Sequence, residues 1–359
     1  MNKIKKITKM QLFLPIFSMI LVMLLNVVYD IASGNSPFSF FQIATQVTTS
    51  GNTIVFGRLI DVLNRGSEVA ILAIGMTLVV SASAGTDISV GSVMSLAGGM
   101  CCMLLAGYGV TNVSQYNVPL AVGLLAGLLV AVLCGMFNGF LVAYLNIQPM
   151  VATLILWSAG RAIGLLLCNS AIVYVRVPSF QFLGGYCGML PTPIIAAFVC
   201  VLIAALVLRF TALGTFVQAV GINKKAARIS GFNSSKIILI TYAICGLCAG
   251  IAGLVNTSRI YSADTNNIGL NMELDAILAV ALGGNSLGGG KFNLAGSIIG
   301  AYTIQAITTT MYALGVSSAQ APVYKAIVVI LIVVIQAEPV KLYFKKLSAK
   351  KAVAEVKEA

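Results

Sequence analysis

The sequence of 359 residues contains no histidine, one tryptophan and ten acidic residues, and only 9% of its residues are charged. Without histidine, a mixed zinc site of cysteine and histidine ligands cannot form. No cluster of nucleophilic or metal-binding side chains is visible in the sequence either. A membrane-embedded enzyme is therefore disfavoured, and we predict no catalytic residue, no cofactor and no metal. The low charge also argues against a soluble protein, in which charged residues make up about a quarter of the chain.

Long apolar runs take the place of the missing charges. Hydrophobic residues make up 59% of the chain and the mean hydropathy is +0.99, which is typical of an integral membrane protein. We predict an all-α polytopic membrane protein with about ten transmembrane helices, forming one transmembrane domain over residues 1–359. The ten apolar segments lie at about 10–29, 67–84, 88–109, 118–145, 150–170, 191–209, 236–257, 274–290, 292–314 and 322–338.

The net charge of +12 is concentrated in three basic islands. They are the N-terminal tail at about 1–9, a central connection at about 210–236 and the C-terminal tail at about 341–359. No basic groove with interleaved aromatic residues is visible, so nucleic acid is not an expected partner, and membrane lipid explains the charge better. By the positive-inside rule all three islands face the cytoplasm, and an even number of crossings keeps both termini there.

The N-terminal run has an alternative interpretation as a signal peptide. That interpretation is disfavoured because residues 10–29 are long enough to span a bilayer and lack a small-x-small cleavage site. The connections at about 30–66, 171–190 and 258–273 are then external. The first of them contains “GRLIDVLNRGSE”, residues 57–68, whose spacing predicts a short interfacial helix or an ordinary loop helix.

Seven of the eight cysteines fall in apolar segments, where a thiol behaves as a small hydrophobic group. Cys245 and Cys248 form a C-x-x-C, but they lie inside a predicted spanning helix. We predict that all eight cysteines are structural.

Asp87 is the only charged residue between Glu68 and Arg161, and it lies in the segment “GTDISVGS”, residues 85–92. A lone acid near the bilayer centre is costly unless it faces a partner, a cavity or water, so a functional or organising role is expected. Asp87 either caps the following helix or contacts a solute or water, and the two roles are compatible. We predict a broken or re-entrant segment here, whose candidate pathway residues are Gly85, Thr86, Asp87, Ser89, Gly91 and Ser92.

A second glycine-rich break is predicted at “GGNSLGGGKF”, residues 283–292. It is not a phosphate-binding loop, because Asn285 and Phe292 stand where that motif requires Gly and Ser or Thr. The string “AILA” precedes both breaks, at 70–73 and 276–279. Paired interrupted segments in two halves of a chain point to a central solute site, although so short a match also arises by chance. The candidate pathway residues of this broken or re-entrant segment, near 283–290, are Asn285, Ser286, Gly288 and Gly289.

Two further polar residues lie inside predicted helices. Asn138 is flanked by Gly135 and Gly139 at the spacing that allows close helix approach, so a packing role is favoured, with the solute pathway as the alternative. Arg161 is the only basic residue in its helix and must either extend to the membrane interface or pair inside the bundle. The interface is slightly favoured.

The central island contains “KKAARISG”, residues 224–231, which predicts about two helical turns with Gly231 as the C-terminal cap. So short a helix hardly folds alone. It is either a solvated loop anchored by its charge or an element that docks into a groove on a soluble partner.

Four blocks of the sequence together resemble the sugar permeases of bacterial ABC transporters of the ribose and galactose type. The blocks are “AIGMTLVVSASAGTDISVGSVMSLAGG”, “FNGFLVAYLNIQPMVATLILWSAGRAIGLLL”, “GTFVQAVGINKKAARISG” and “ELDAILAVALGGNSLGGGKFNLAGSIIGA”. They follow the family's order and are distributed over residues 67–302. The tail “PVYKAIVVILIVVIQ” is most similar to the galactofuranose-type subgroup.

The resemblance implies a permease subunit of an ATP-driven importer that carries a monosaccharide across the bacterial cytoplasmic membrane. It also implies two ATP-binding subunits that hydrolyse ATP, a second permease copy or paralogue, and an external sugar-binding protein. The family's ATPase-coupling segment maps onto Lys225, Ala226, Ala227, Arg228 and Gly231. Lys225 departs from the usual acidic residue, and Ala159, Gly160 and Arg161 replace an A-R-G motif. The alternative, a secondary transporter driven by an ion gradient, would normally carry several ionisable residues in the membrane, whereas Asp87 is nearly alone.

Overall fold

A computed structural model describes residues 12–34, 36, 38–47, 53–317 and 319–336. The two basic tails, at 1–9 and 341–359, lie outside the described residues. The described residues form twelve helices: α1 Phe13–Ala32, α2 Arg58–Ser83, α3 Val90–Ala106, α4 Leu120–Ala143, α5 Pro149–Leu167, α6 Thr192–Phe210, α7 Leu213–Ile222, α8 Lys224–Ile229, α9 Ser234–Ile260, α10 Met272–Leu282, α11 Leu294–Ala313 and α12 Ala321–Gln336.

Short strands join some of the helices at one end of the bundle. They are β1 Ala44–Val47, β2 Thr53–Phe56, β3 Asn112–Val113, β4 Val173–Val175, β5 Tyr186–Cys187, β6 Leu190–Pro191 and β7 Ser262–Ala263. The pairs β1-β2 and β5-β6 are antiparallel, and β3-β4-β7 is a three-stranded ladder in which β3 and β4 are parallel. We call this side the strand end and the opposite side, which carries α8, the α8 end.

The prediction of a polytopic helical membrane protein is confirmed, but the count of ten spans is not. Each of the ten predicted segments contains a helix, whereas six helices in the described part of the chain are both long and apolar enough to cross a membrane: α1, α2, α4, α5, α6 and α9. Among the others, α3 has 17 residues and α10 has 11, each shorter than the roughly 20 residues that a span needs. Both of these short helices adjoin a predicted break.

The prediction of a separate helix at 57–68 is wrong, because α2 is continuous from Arg58 to Ser83. The predicted apolar segment began only at about residue 67 because charged residues precede it, and two ion pairs neutralise charges in this part of α2. The Arg58 guanidinium pairs with Asp30 of α1, and Arg259 Nη2 lies 2.8 Å from Glu68 Oε1. The predicted external connection 258–273 is wrong at its start for the same reason, since α9 continues through Arg259 to Ile260.

The centre of the bundle is formed by α2 and α9, and α4 packs closely against α9. Gly135 of α4 faces Gly246 of α9 so closely that a Cβ on Gly135 would lie 3.1 Å from Gly246 Cα. The helix packing predicted around Asn138 is therefore present. Outward-facing side chains are apolar, such as Leu125 and Phe198, each 66% exposed, as expected for contact with lipid. All eight cysteines are free, and only Cys187 is exposed.

Candidate functional site

Asp87 lies in the turn between α2 and α3 and is 2% exposed. Its Oδ1 accepts hydrogen bonds from the Ser89 backbone N–H at 2.9 Å and from Ser89 Oγ at 2.6 Å. Asn138 of α4 donates from Nδ2 to the same hydroxyl, at 2.8 Å. Among the described residues no lysine or arginine forms an ion pair with Asp87. The carboxylate thus organises the entry turn of α3 and links it to α4 through neutral donors alone.

Other residues of the first break also make their contacts with other parts of the protein. Ser92 Oγ donates to Ser89 O at 2.8 Å and is 3.2 Å from Leu156 O. A Cβ on Gly85 would lie 2.6 Å from Pro149 Cγ, so glycine is required where the break meets the start of α5. Thr86 is buried as well. The Ile88 backbone N–H donates to Thr153 Oγ1 of α5 at 3.2 Å, so a neighbouring side chain satisfies a backbone group that the break leaves free.

The second break, between Leu282 and Leu294, is closed by Asn285. Its Nδ2 donates to Ser297 Oγ at 2.8 Å and to Val280 O at 3.1 Å, and its Oδ1 accepts from the Asn293 backbone N–H. The amide therefore fastens the end of α10 to the start of α11. The other three candidates are more open: Ser286 and Gly288 are exposed, and Gly289 is half-buried.

The two breaks meet at the α8 end of the bundle. A Cβ on Gly289 would lie 3.1 Å from Ala84 Cα, and Gly290 N donates to Ser81 O at 3.0 Å. Gly221, in the last turn of α7, packs against the same Ser81 carbonyl, and a Cβ on it would lie 2.7 Å from Gly290 N. The last turn of α7 therefore touches the end of α2 and the second break together.

Helix α8 follows α7 directly and is fixed by local hydrogen bonds at both ends. Asn223 Oδ1 accepts from the backbone N–H groups of Lys225 and Ala226, both at 3.0 Å. At the other end Phe232 N donates to Ala227 O at 3.0 Å, and Gly231 has a φ of 88°. This is a Schellman motif with glycine at its left-handed position, so the predicted helix and its predicted cap are both confirmed.

The surface of α8 faces away from the bundle. Ala227 is its one buried residue, at 4% exposure, whereas Ile229 is 88% exposed. Beside it lies a groove of about 740 Å³, lined by Ala143, Tyr144, Asn146, Lys224, Lys225, Arg228, Gly231, Phe232, Asn233, Ser234, Ser235 and Ile238. A basic groove next to a projecting isoleucine can dock a soluble partner that offers acidic and apolar side chains.

Arg161 does not extend to an interface but binds a loop inside the bundle. Its Nη1 donates to three backbone carbonyls, those of Thr265 at 2.9 Å, Asn266 at 2.7 Å and Ile268 at 3.2 Å. One helical turn earlier, Trp157 Nε1 donates to Glu273 Oε1 at 3.1 Å. Neither Trp157 nor Glu273 was predicted from the sequence. Trp157 could have been identified from its spacing, because the sole tryptophan lies four residues before Arg161 and therefore on the same helix face.

Comparison with known proteins gives the chain a family. Residues 58–336 match the family described as “Branched-chain amino acid transport system / permease component”. The galactofuranose transporter permease protein of Escherichia coli (strain K12) is 45% identical over 285 residues, covering 79% of this chain and 81% of that protein. The fructose import permease protein of Bifidobacterium longum (strain NCC 2705) is 36% identical over 341 residues, covering 94% and 90%. The ribose import permease protein of Escherichia coli (strain K12) is 35% identical over 298 residues, covering 82% and 89%. The chain therefore belongs to this permease family, and the predicted resemblance to the permease subunits of ABC sugar importers is confirmed.

Proposed function

We propose that the chain is the membrane-spanning subunit of an ATP-driven ABC importer that carries a monosaccharide across the bacterial cytoplasmic membrane. Galactofuranose, fructose and ribose are the sugars named for its relatives. Two separate ATP-binding subunits would hydrolyse ATP, an external sugar-binding protein would deliver the sugar, and a second permease copy or a paralogue would complete the pathway. The α8 end and both termini then face the cytoplasm.

One observation carries the mechanism: the contact of Gly221 with Ser81 and Gly290 joins α7 to both breaks. Helix α8 adjoins α7 across Asn223 and projects Ile229 toward an ATPase. A displacement of α8 when the ATPases close is therefore transmitted to the two segments where the long helices are interrupted. Lys225, Ala226, Ala227, Arg228 and Gly231 form the coupling element in this proposal.

The two breaks would shape the cytoplasmic part of the sugar path. Ser286, Gly288 and Gly289 can face it directly, whereas Asp87, Ser89, Asn138 and Asn285 hold the walls in place. The AILA copies support a paired arrangement of the two halves, since Ala70 and Ala73 pack against Ala279 in one buried cluster. In this topology all ten predicted segments enter the membrane, with re-entrant passages near 85–92 and 283–290.

The test is transport by the complete complex. The permease is co-expressed with its ATP-binding subunits and its sugar-binding protein and reconstituted into liposomes, and uptake of radiolabelled ribose, galactose and galactofuranose is measured. Uptake that requires ATP and the binding protein supports the proposal. Uptake without ATP that an ionophore abolishes would instead identify a secondary transporter.

A further inference from the structure

Residues 264–271, which we call the inner loop, have no regular helix or strand and lie deep in the bundle. The loop leaves β7 at the strand end and joins α10 at Met272. Ser95 Oγ of α3 donates to Thr265 O at 2.6 Å, and Gly269 packs against the backbone of Gly91 in the first turn of α3. Since Ser95 is eleven residues before the end of α3, Thr265 lies about 16 Å below that end. The inner loop is therefore irregular backbone at membrane depth.

Arg161 fixes the inner loop to α5 at this depth. The guanidinium group binds the carbonyls of Thr265, Asn266 and Ile268, which a regular helix would have satisfied. It is about 18 Å from the start of α5 and about 9 Å from its end, well inside the apolar span. An arginine in this position is costly unless it meets protein or water, so the loop and the cation stabilise each other.

The outer surface of this assembly is mixed: it includes the exposed Leu270 and the half-buried Asp264 of the loop beside several neutral polar side chains. Asn266 and Asn267 of the loop and Ser158 of α5 are exposed, and the Trp157 ring beside them is 40% exposed. No side chain of the described residues covers them. Irregular backbone at membrane depth occurs where it is buried in protein or lines a water-filled cavity, and not against lipid tails. The surface of α6 exposes chiefly apolar side chains and fits lipid, whereas this one combines irregular backbone with polar side chains and requires water or polar partners.

We propose that this surface, formed by Trp157, Ser158, Arg161, Asn266 and Asn267, is a wall of the aqueous path and a transient binding site for a monosaccharide. The inference rests on the proposed function. The indole ring offers a flat face for the C–H side of a sugar ring, and the Asn266 amide and the Ser158 hydroxyl offer uncharged donors and acceptors for its hydroxyl groups. Asn267 Nδ2 already donates to Asp264 Oδ2 at 2.7 Å, so Asn267 offers chiefly its carbonyl oxygen. The Arg161 cation is already engaged with carbonyls, and the half-buried Asp264 carboxylate with Asn266 N and Asn267 Nδ2, so the site favours a neutral solute. Few contacts on one wall keep binding weak, which passage requires.

The first test measures water access and does not depend on transport. In the reconstituted complex carrying Cys187→Ser, which removes the only exposed native thiol, Asn267→Cys is treated with a membrane-impermeant thiol reagent. The control is Leu202→Cys on α6, an apolar position that is 46% exposed. We expect Asn267→Cys to react at least about tenfold faster, because a thiol in apolar surroundings stays protonated. Equal, slow reaction of both variants would overturn the proposal, and so would an unreactive Asn267→Cys that forms a disulfide between two permease copies.

The second test measures sugar recognition. Trp157→Ala should raise the KM for sugar uptake about tenfold through loss of the ring surface, and Trp157→Phe should stay within about threefold of the original protein. Co-purification of the ATPase should be unchanged in both variants. An unchanged KM in Trp157→Ala would overturn the sugar contact. If the original complex transports no sugar while Asn267→Cys is labelled rapidly, the proposed function fails and the aqueous path stands.

Discussion

Replacing Gly221 by alanine tests the link between the coupling helix and the two breaks. A methyl group at this position would overlap the Ser81 carbonyl oxygen and would lie 2.7 Å from Gly290 N. Normal carbon contacts are about 3.5 Å or longer, so the last turn of α7 must move outward by more than about 1 Å. Overpacking of this kind costs about 1–3 kcal/mol. That range corresponds to a factor of roughly 5 to 150 in the population of the packed arrangement.

The matched control lies on the same helix. A Cβ on Gly214 of α7 would be 3.5 Å from Leu208 Cδ2 and 3.7 Å from Leu208 O, which are ordinary contacts. Gly214→Ala makes the same chemical change and should even favour the helix by up to about 1 kcal/mol. A defect confined to Gly221→Ala therefore reports the contact with α2 and the second break.

The assay compares sugar uptake with ATP hydrolysis in liposomes. We expect Gly221→Ala to retain ATPase binding, because α8 is still capped by Asn223 and Gly231. Uptake per ATP hydrolysed should fall at least about fivefold, the lower end of the strain estimate. Uptake equal to that of the original protein would refute the mechanical link. An equal loss in Gly214→Ala would also refute it, because the defect would then belong to α7 as a whole.

Three further substitutions probe the site and the fold. Asp87→Asn should impair assembly or uptake, because it weakens the two charge-assisted hydrogen bonds from Ser89 and so costs about 1 kcal/mol of stability. A variant with the abundance and the uptake of the unsubstituted protein would contradict this role. Arg228→Glu should weaken ATPase association at least about tenfold without disturbing membrane insertion, because it replaces one of the three cations that line the α8 groove by an acid. Unchanged co-purification would rule out the coupling assignment. Arg259→Ala should lower the free energy of unfolding of the purified permease by about 3–5 kcal/mol, because it leaves the buried Glu68 carboxylate without its cation. Adding Glu68→Gln should restore much of that stability, and a double variant as unstable as the single one would argue against this explanation.

The elements that could be predicted from the sequence are those with local signals. The residues that cap the start of helix α8 and end it lie within nine residues, from Asn223 to Gly231, so its limits were predictable. The two breaks were predictable because glycine and a lone acid interrupt runs of apolar residues. The match to the family then supplied the class of transporter, which composition alone would not have given.

The elements that could not be predicted depend on partners distant in the sequence. The early start of α2 depends on the ion pairs of Arg58 with Asp30 and of Glu68 with Arg259. A hydropathy window centred on Arg58 or Glu68 contains neither partner, so it gives no sign of these pairs. The inner loop was expected to belong to an external connection, because it lies in a polar segment between two predicted spans. Its depth results from Arg161 and from the contact between Gly91 and Gly269, and neither is visible until the helices are packed.

The close contact between α4 and α9 has a consequence for how the protein is made. Gly135 and Gly246 meet backbone to backbone, yet about 110 residues separate them, and a ribosome adds about 5–20 residues per second. The glycine face of α4 therefore has no packing partner in the membrane for on the order of ten seconds, until α9 is synthesised. During that interval lipid, a chaperone or the insertion machinery must occupy the groove. Biogenesis should accordingly be most sensitive to bulky substitutions on this face, before any sugar or ATP is involved.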